Sequence, residues 1–194
     1  MPQRRLLRTL LEPIAIAIAL ALLLRMAVQI YSIPSASMAP TLVPGDRILV
    51  TRYLRADPEP GDVIVFVSPV NGEETLVKRV VGEAGDLIES RQGRLVIGGR
   101  TLPEPYLAEA AATGEISALI VPADCYFVLG DNRRDSVDSR SWGVVRRSAI
   151  QGRARMILWS SSDPSQEVVL ASSQGGGPRS FRTDRSRRLF KWID

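Results

Sequence analysis

Residues 44–50, Pro44-Gly45-Asp46-Arg47-Ile48-Leu49-Val50, and residues 60–66, Pro60-Gly61-Asp62-Val63-Ile64-Val65-Phe66, are two versions of one device. Proline presets φ for the second position of a type II turn, and glycine accepts the positive φ of the third. The β-branched run behind each turn reads as a strand. Working outward, residues 75–81, 94–97, 126–129 and 153–159 read the same way, and Gly98-Gly99 marks a tight turn. Past residue 30 no long helical periodicity exists; residues 108–112 have room for one short helical turn. Residues 160–178 are rich in Ser and Gly and read as a loop. The expected fold class is mainly β, an antiparallel sheet domain, and 194 residues suffice for one domain with a real core.

The start of the chain is different. Residues 13–24 are an unbroken apolar run, preceded by Arg4, Arg5 and Arg8. By itself the run is shorter than the ~20 residues that span a bilayer. A helix over residues 6–30 is long enough if Glu12 and Arg25 lie near its ends and Arg25 snorkels to the headgroups. Arginines before the run place the N-terminus in the cytoplasm and everything after it outside. A basic start, an apolar run and small residues are also the plan of a cleavable signal peptide, with Ser35-Ala36-Ser37 as the cut site; the residues that follow favour an uncleaved transmembrane anchor. The expected organisation is a cytoplasmic start and anchor at 1–30, an extracytoplasmic β domain at 31–159, a loop at 160–178 and a basic aromatic segment at 179–194.

The formal net charge of +4 is unevenly placed. The first 30 residues carry +3, residues 179–194 carry +4, and the body between them carries −3. A nucleic-acid binder carries its basic stripe on the fold, so no nucleic-acid partner is expected. Basic ends around an acidic body suit anionic lipid. Cys125 is the only cysteine, so no intrachain disulfide forms, and in Cys125-Tyr-Phe-Val-Leu it reads as a buried small hydrophobe. With no histidine in the chain, Cys/His metal sites are not expected.

Two residue types carry the chemistry. Ser35 and Ser37 sit between prolines directly after the anchor. Of the 25 basic residues only Lys78 and Lys191 are lysines. An arginine cannot be deprotonated in a protein, whereas a lysine can. In a strand Lys78 shares a face with Leu76 and Val80. An inward face lowers the ammonium pKa by desolvation, and a neutral amine is a general base. A chain without histidine that uses a serine nucleophile needs another base, and Ser-Lys is an attested arrangement. These residues make Ser37 the candidate nucleophile and Lys78 its base. A solvated, outward Lys78 is the bland alternative. Lys191 lies in a basic aromatic tail suited to a membrane surface.

Four stretches, Ile33-Pro-Ser-Ala-Ser-Met-Ala-Pro-Thr-Leu, Gly61-Asp-Val-Ile-Val-Phe, Lys78-Arg-Val-Val-Gly and Gly130-Asp-Asn-Arg-Arg-Asp-Ser-Val-Asp-Ser-Arg, resemble in order the motif boxes of the type I signal peptidases. Leu102-Pro-Glu-Pro-Tyr-Leu is similar to a further family segment. The resemblance runs from the anchor to about Trp159. It departs at Glu83-Ala84, where the family usually has Leu-Pro, and at Arg134-Asp135. The resemblance implies a mostly antiparallel β structure with an apolar face on the bilayer. It implies Ser37 as nucleophile, Lys78 as general base, and Ser35 as the hydroxyl that completes an oxyanion hole with the Ser37 N–H. It implies Ser136 as the residue that orients the lysine, and Asp138 with Arg140 as a brace. Ile33, Met38, Leu42, Leu76 and Val77 fall where the family lines its substrate pockets.

The function expected is a membrane-bound serine endopeptidase that removes signal peptides from preproteins with Ala-x-Ala-like cleavage sites, in contact with the lipid bilayer and with no metal or cofactor. The alternative is a non-catalytic membrane-tethered β-domain that binds a partner protein. A cytosolic self-cleaving Ser-Lys regulator fits the apolar start poorly. Calcium binding by residues 131–138 fails, because Arg133 and Ser136 stand where an EF-hand loop wants Asp or Asn and Gly. Thr75, three before Lys78, excludes the Ser-x-x-Lys pattern.

Overall fold

Both Pro-Gly turns close through their outer residues. Asp46 N donates to Val43 O at 3.1 Å and Asp62 N to Glu59 O at 3.0 Å. Gly45 and Gly61 take φ of 90° and 100°, a region only glycine enters without strain. The computed structural model describes residues 2–53, 56–107, 112–161, 168–170, 179–181 and 188–193. In it the turns launch β2 (Asp46–Thr51) and β3 (Val63–Val67). The chain begins with α1 (Pro2–Ala27) and β1 (Val28–Ser32). After β3 come β4 (Thr75–Gly82), β5 (Leu87–Arg91), β6 (Arg94–Ile97), β7 (Arg100–Thr101) and β8 (Leu119–Ile120). Then follow β9 (Cys125–Leu129), the short α2 (Ser139–Trp142), β10 (Val145–Arg146) and the long β11 (Ile150–Ser160). Last are β12 (Val168–Leu170), β13 (Arg179–Phe181) and β14 (Lys191–Trp192).

The main sheet runs β1-β2-β11-β3-β4-β9-β10, with β14 also paired to β11. A smaller sheet runs β7-β6-β5-β8, and β12 pairs with β13. Every pairing is antiparallel. The mainly β, antiparallel fold class read from the turns is therefore what the chain adopts. One core cluster lies under residues 33–42 and joins Ile33, Met38 and Leu42 to Ile48 and Val50 of β2, Val63 and Val65 of β3, and Ala154 and Ile157 of β11. A second fills the space between β9 and the smaller sheet, with Cys125 buried in it as expected.

The first helix differs from the span read at 6–30. It covers Pro2–Ala27, and Val28–Ser32 are strand. Val28, Ile30 and Tyr31 are strand formers, and β2 offers them a full register from Val28↔Thr51 to Ser32↔Arg47. Arg52 N closes the junction by donating to Ala27 O at 3.1 Å. Leu11, Ile14, Ile16, Ile18, Leu20 and Leu22 are each more than half exposed. Among the described residues no helix is long and apolar enough to cross a membrane. Within the stretch read as a loop at 160–178, Ser160 ends β11 and Val168–Leu170 are strand; the rest apart from residue 161, and residues 108–111 of the helical turn read at 108–112, lie outside the described residues.

Candidate active site

Residues 35–42 form a turn that the core pulls inward at two points. Met38 and Leu42 are buried, and Leu42 N donates to Met38 O at 2.9 Å. Ser37, between the buried positions 33 and 38, stays at the surface side of the turn, half-buried. Its carbonyl accepts from Asn132 N at 3.0 Å, and Asn132 Nδ2 donates to Ala36 O at 3.2 Å. The last motif box thus grips the backbone of the first.

Lys78 comes from β4, opposite Ile64 of β3. It is 3% exposed, which settles the choice between an inward and a solvated lysine. Its Nζ lies 2.7 Å from Ser37 Oγ. Burial drives the amine pKa down from 10.5 to about 8; Asp138 opposes the shift and Arg140 adds to it. At that value a substantial fraction of the amine is neutral near pH 8 and can accept a proton. Ser35 Oγ donates to Ser37 Oγ at 3.3 Å, so the two hydroxyls and the amine form one cluster.

Asp138 is fully buried beside them. It accepts from Gly130 N at 3.1 Å and from Arg140 Nε and Nη2 at 2.8 and 2.7 Å. Burial by itself would raise this carboxyl's pKa; the bonds and charge of Arg140 and the Gly130 N–H outweigh it and hold the group below its ordinary value. Asp138 and Arg140 are therefore a pair with its carboxylate buried and its guanidinium half-buried, not an exposed one. Arg140 Nη2 also donates to Ser136 O at 3.2 Å. Ser136 Oγ is buried and makes no hydrogen bond of normal geometry with any described residue, though it adds a small contribution in the lowering direction at Asp138.

Gly130 packs between these parts. A Cβ there would fall 2.5 Å from Ser37 O and collide with Ser136 Oγ. Gly130→Ala is accordingly expected to shift the Ser37 backbone, costing about 100-fold in kcat by misplacement and about 1–3 kcal/mol by overpacking. Turnover and a melting curve measured on the same preparation check both.

A cleft opens beside the cluster. Ile33, Met38, Leu76 and Val77 line it with Ser35, Ser37 and Lys78. Leu42 does not; it is wholly buried in the core. Tyr31, Thr75 and Val137 also line it, and nothing in the sequence marks them as cleft residues. Arg79 and Asp131, which the sequence offers only as members of motif boxes, form an ion pair at 2.8 Å with both side chains 1% exposed. Thr41 Oγ1 donates to the same carboxylate at 2.5 Å, and Arg79 lies 4.0 Å over the Tyr106 ring. Glu104 pairs with the buried Arg133. The signal for these was present: a second cation directly after Lys78 in an otherwise apolar strand, and acidic residues inside a motif box. Among the described residues no cluster of acidic or cysteine side chains could hold a metal.

Residues 7–159 match the family model described as signal peptidase, peptidase S26. Over 134 residues the chain is 40% identical to a probable signal peptidase I-2 of Synechocystis sp., covering 66% of this chain and 61% of that protein. It is 38% identical over 160 residues to signal peptidase I of Leptolyngbya laminosa, covering 77% of this chain and 78% of that one. It is 34% identical over 171 residues to signal peptidase I of Bacillus amyloliquefaciens, with 80% and 86% covered. The chain thus spans about three fifths of the length of the Synechocystis relative. With four motif boxes folded into one cluster and most of the chain matched, the chain belongs to the signal peptidase family, peptidase S26.

Proposed function

We propose that this chain is a membrane-bound serine endopeptidase that cleaves signal peptides from exported preproteins, with Ser37 as nucleophile and Lys78 as general base. The observation that carries the reading is the 2.7 Å contact between a desolvated lysine amine and a serine hydroxyl at the mouth of a cleft. The alternative, a tethered domain that only binds, gains no support from the family match and leaves the buried lysine without a use.

Neutral Lys78 takes the Ser37 Oγ proton as Oγ bonds to the scissile carbonyl carbon. The Ser37 N–H and the Ser35 hydroxyl stabilise the oxyanion. The C–N bond breaks and protonated Lys78 gives its proton to the leaving amine. Lys78, neutral again, takes a proton from water as its oxygen bonds to the acyl carbon; the bond from that carbon to Ser37 Oγ breaks, and protonated Lys78 returns its proton to Oγ. Asp138 and Arg140 brace the site through Gly130 N and Ser136 O, and Ser136 stands where the resemblance places the group that orients the lysine. Residues 75–78 of β4 pair with β3 on one side only, since pairing with β9 begins at Arg79. That open edge suits an extended substrate, and the cleft beside it suits small Ala-x-Ala side chains. The single anchor is placed at α1 (Pro2–Ala27): its apolar run at 13–24 is short of a full span by itself, so Glu12 and Arg25 sit at the headgroups, with the basic start in the cytoplasm and the β domain outside.

The test is cleavage of a preprotein by the purified chain in lipid vesicles. One cut after an Ala-x-Ala site is expected, and none when the final alanine is replaced by tryptophan; a chain that leaves the preprotein intact would remove the reading. Because only the neutral amine is competent, kcat/KM should rise tenfold per pH unit up to about 8 and level off above. A profile flat between about pH 6 and 9 contradicts Lys78 as the base.

A further inference from the structure

The segment 188–193 lies beyond the residues matched by the family model and carries none of the motif boxes. Its contacts nonetheless converge on the turn that holds Ser37. Arg188 is buried, and its Nε donates to Asp46 Oδ1 at 3.1 Å while Nη2 bonds Asp46 Oδ2. Nη2 also donates to Thr41 O at 3.0 Å, and Nη1 to Pro40 O at 3.4 Å. Asp46 is wholly buried, and its Oδ2 accepts from Val43 N at 2.9 Å. One guanidinium and one carboxylate therefore close the far side of the nucleophile turn.

The same turn is held on its near side by the last motif box. The Thr41 hydroxyl goes to Asp131 and the Ser37 carbonyl to Asn132 N. Thr41 is gripped from both directions, through its side chain by Asp131 and through its backbone by Arg188. The segment itself cannot slide. Met156↔Trp192 and Ile157↔Lys191 pair β14 with β11, Ile193 N donates to Arg155 O at 3.0 Å, and the Ile193 side chain is buried against Ile33, Met38 and Leu42.

We propose that residues 188–193 form a clasp that completes the active site, with Arg188 a positioning residue that sets the placement of Ser37. This rests on the reading of Ser37 as nucleophile. The carbonyls of Pro40 and Thr41 lie three and four residues from Ser37, and they point at the same place as a buried carboxylate. Without a cation between them these acceptors repel one another and the turn reorients. The Ser37–Lys78 contact tolerates little of that, because reacting groups must meet within a fraction of an ångström. An arginine suits the post because its planar fork of five N–H donors reaches a carboxylate and two carbonyls together; a lysine offers one nitrogen.

The experiment uses the full chain in lipid vesicles with Arg188→Gln, Arg188→Lys and, as control, Ser37→Ala. Two readouts are taken: kcat and KM for a preprotein, and amide hydrogen exchange by mass spectrometry. For Arg188→Gln, kcat is expected to fall about tenfold or more, with KM within about twofold of the parent. The pH limb near 8 stays where it was, because Lys78 remains buried. Exchange speeds up in residues 37–43 and not in β9. Arg188→Lys falls between the parent and Arg188→Gln in both readouts; should the glutamine chain fail to fold, the lysine chain carries the comparison. An unchanged kcat per folded molecule, or exchange that rises equally in β9, overturns the clasp and leaves a plain stabilising contact. Ser37→Ala separates the two claims: if it still cleaves, the nucleophile reading falls, while exchange at residues 37–43 still reports whether Arg188 holds the turn.

Discussion

Lys78→Met is expected to lower kcat/KM by about 10⁴-fold or more and, at pH 7, to melt at a higher temperature than the parent chain. The first effect follows from removing the base proposed to take the Ser37 proton. The second follows from the same burial that makes the base work. Unfolded, the amine titrates at its ordinary 10.5; folded, at about 8. Between those values the unfolded chain binds more protons, so stability rises with pH through that window and the full penalty is present below about 8. Two to three pKa units correspond to about 3 kcal/mol. A methionine of similar length fills the site without that cost, so the gain should disappear above about pH 10.5. Melting curves of parent and variant at pH 7 and pH 11, beside the cleavage assay, check both halves. A variant that melts lower at pH 7 would mean the amine is not carried at a cost.

Asp131→Ala should cost about 3–5 kcal/mol, the usual consequence of taking one partner from a buried ion pair. For a chain of this size that lowers the melting temperature by roughly 6–20 °C. The carboxylate serves Arg79 through two bonds and Thr41 through a third. Its loss therefore loosens β4 next to Lys78 and the nucleophile turn together, and activity should fall with stability even at temperatures where the chain stays folded. Asp131→Asn keeps the shape and one acceptor, and should recover part of each. Denaturant titration beside initial rates distinguishes the two levels of damage. A loss below about 1 kcal/mol would place this pair with ordinary surface bridges.

Much of this was readable in the chain before its structure. The Pro-Gly turns were legible because a type II turn has a residue requirement at two adjacent positions, and Gly45 and Gly61 meet it. Lys78 was legible by contrast, as one of two lysines among arginines, and its burial bears that out. Other elements left no local trace. β1 continues an apolar run, so nothing in its composition marks where helix gives way to strand; its partner β2 decides that. Glu89, Ser90 and Arg91 in β5 lack the apolar alternation of a buried strand and are held by pairing with β6. Arg188 meets Asp46 from 142 positions away, and an ion pair at that separation has no periodicity to read. Leu42 shows the limit of motif transfer: it stands in a pocket-lining position of the box, yet it faces the core rather than the cleft.

The join between α1 and β1 has no spacer: Val28 is already in the sheet, and Arg52 pins the helix end to β2. β1 is five residues long, about 17 Å at the rise of a strand, and that length sets how far the turn carrying Ser37 stands from the end of α1. If α1 is the anchor proposed above, the same length sets the height of Ser37 over the lipid, and a bond is then chosen by its depth as well as by its flanking side chains.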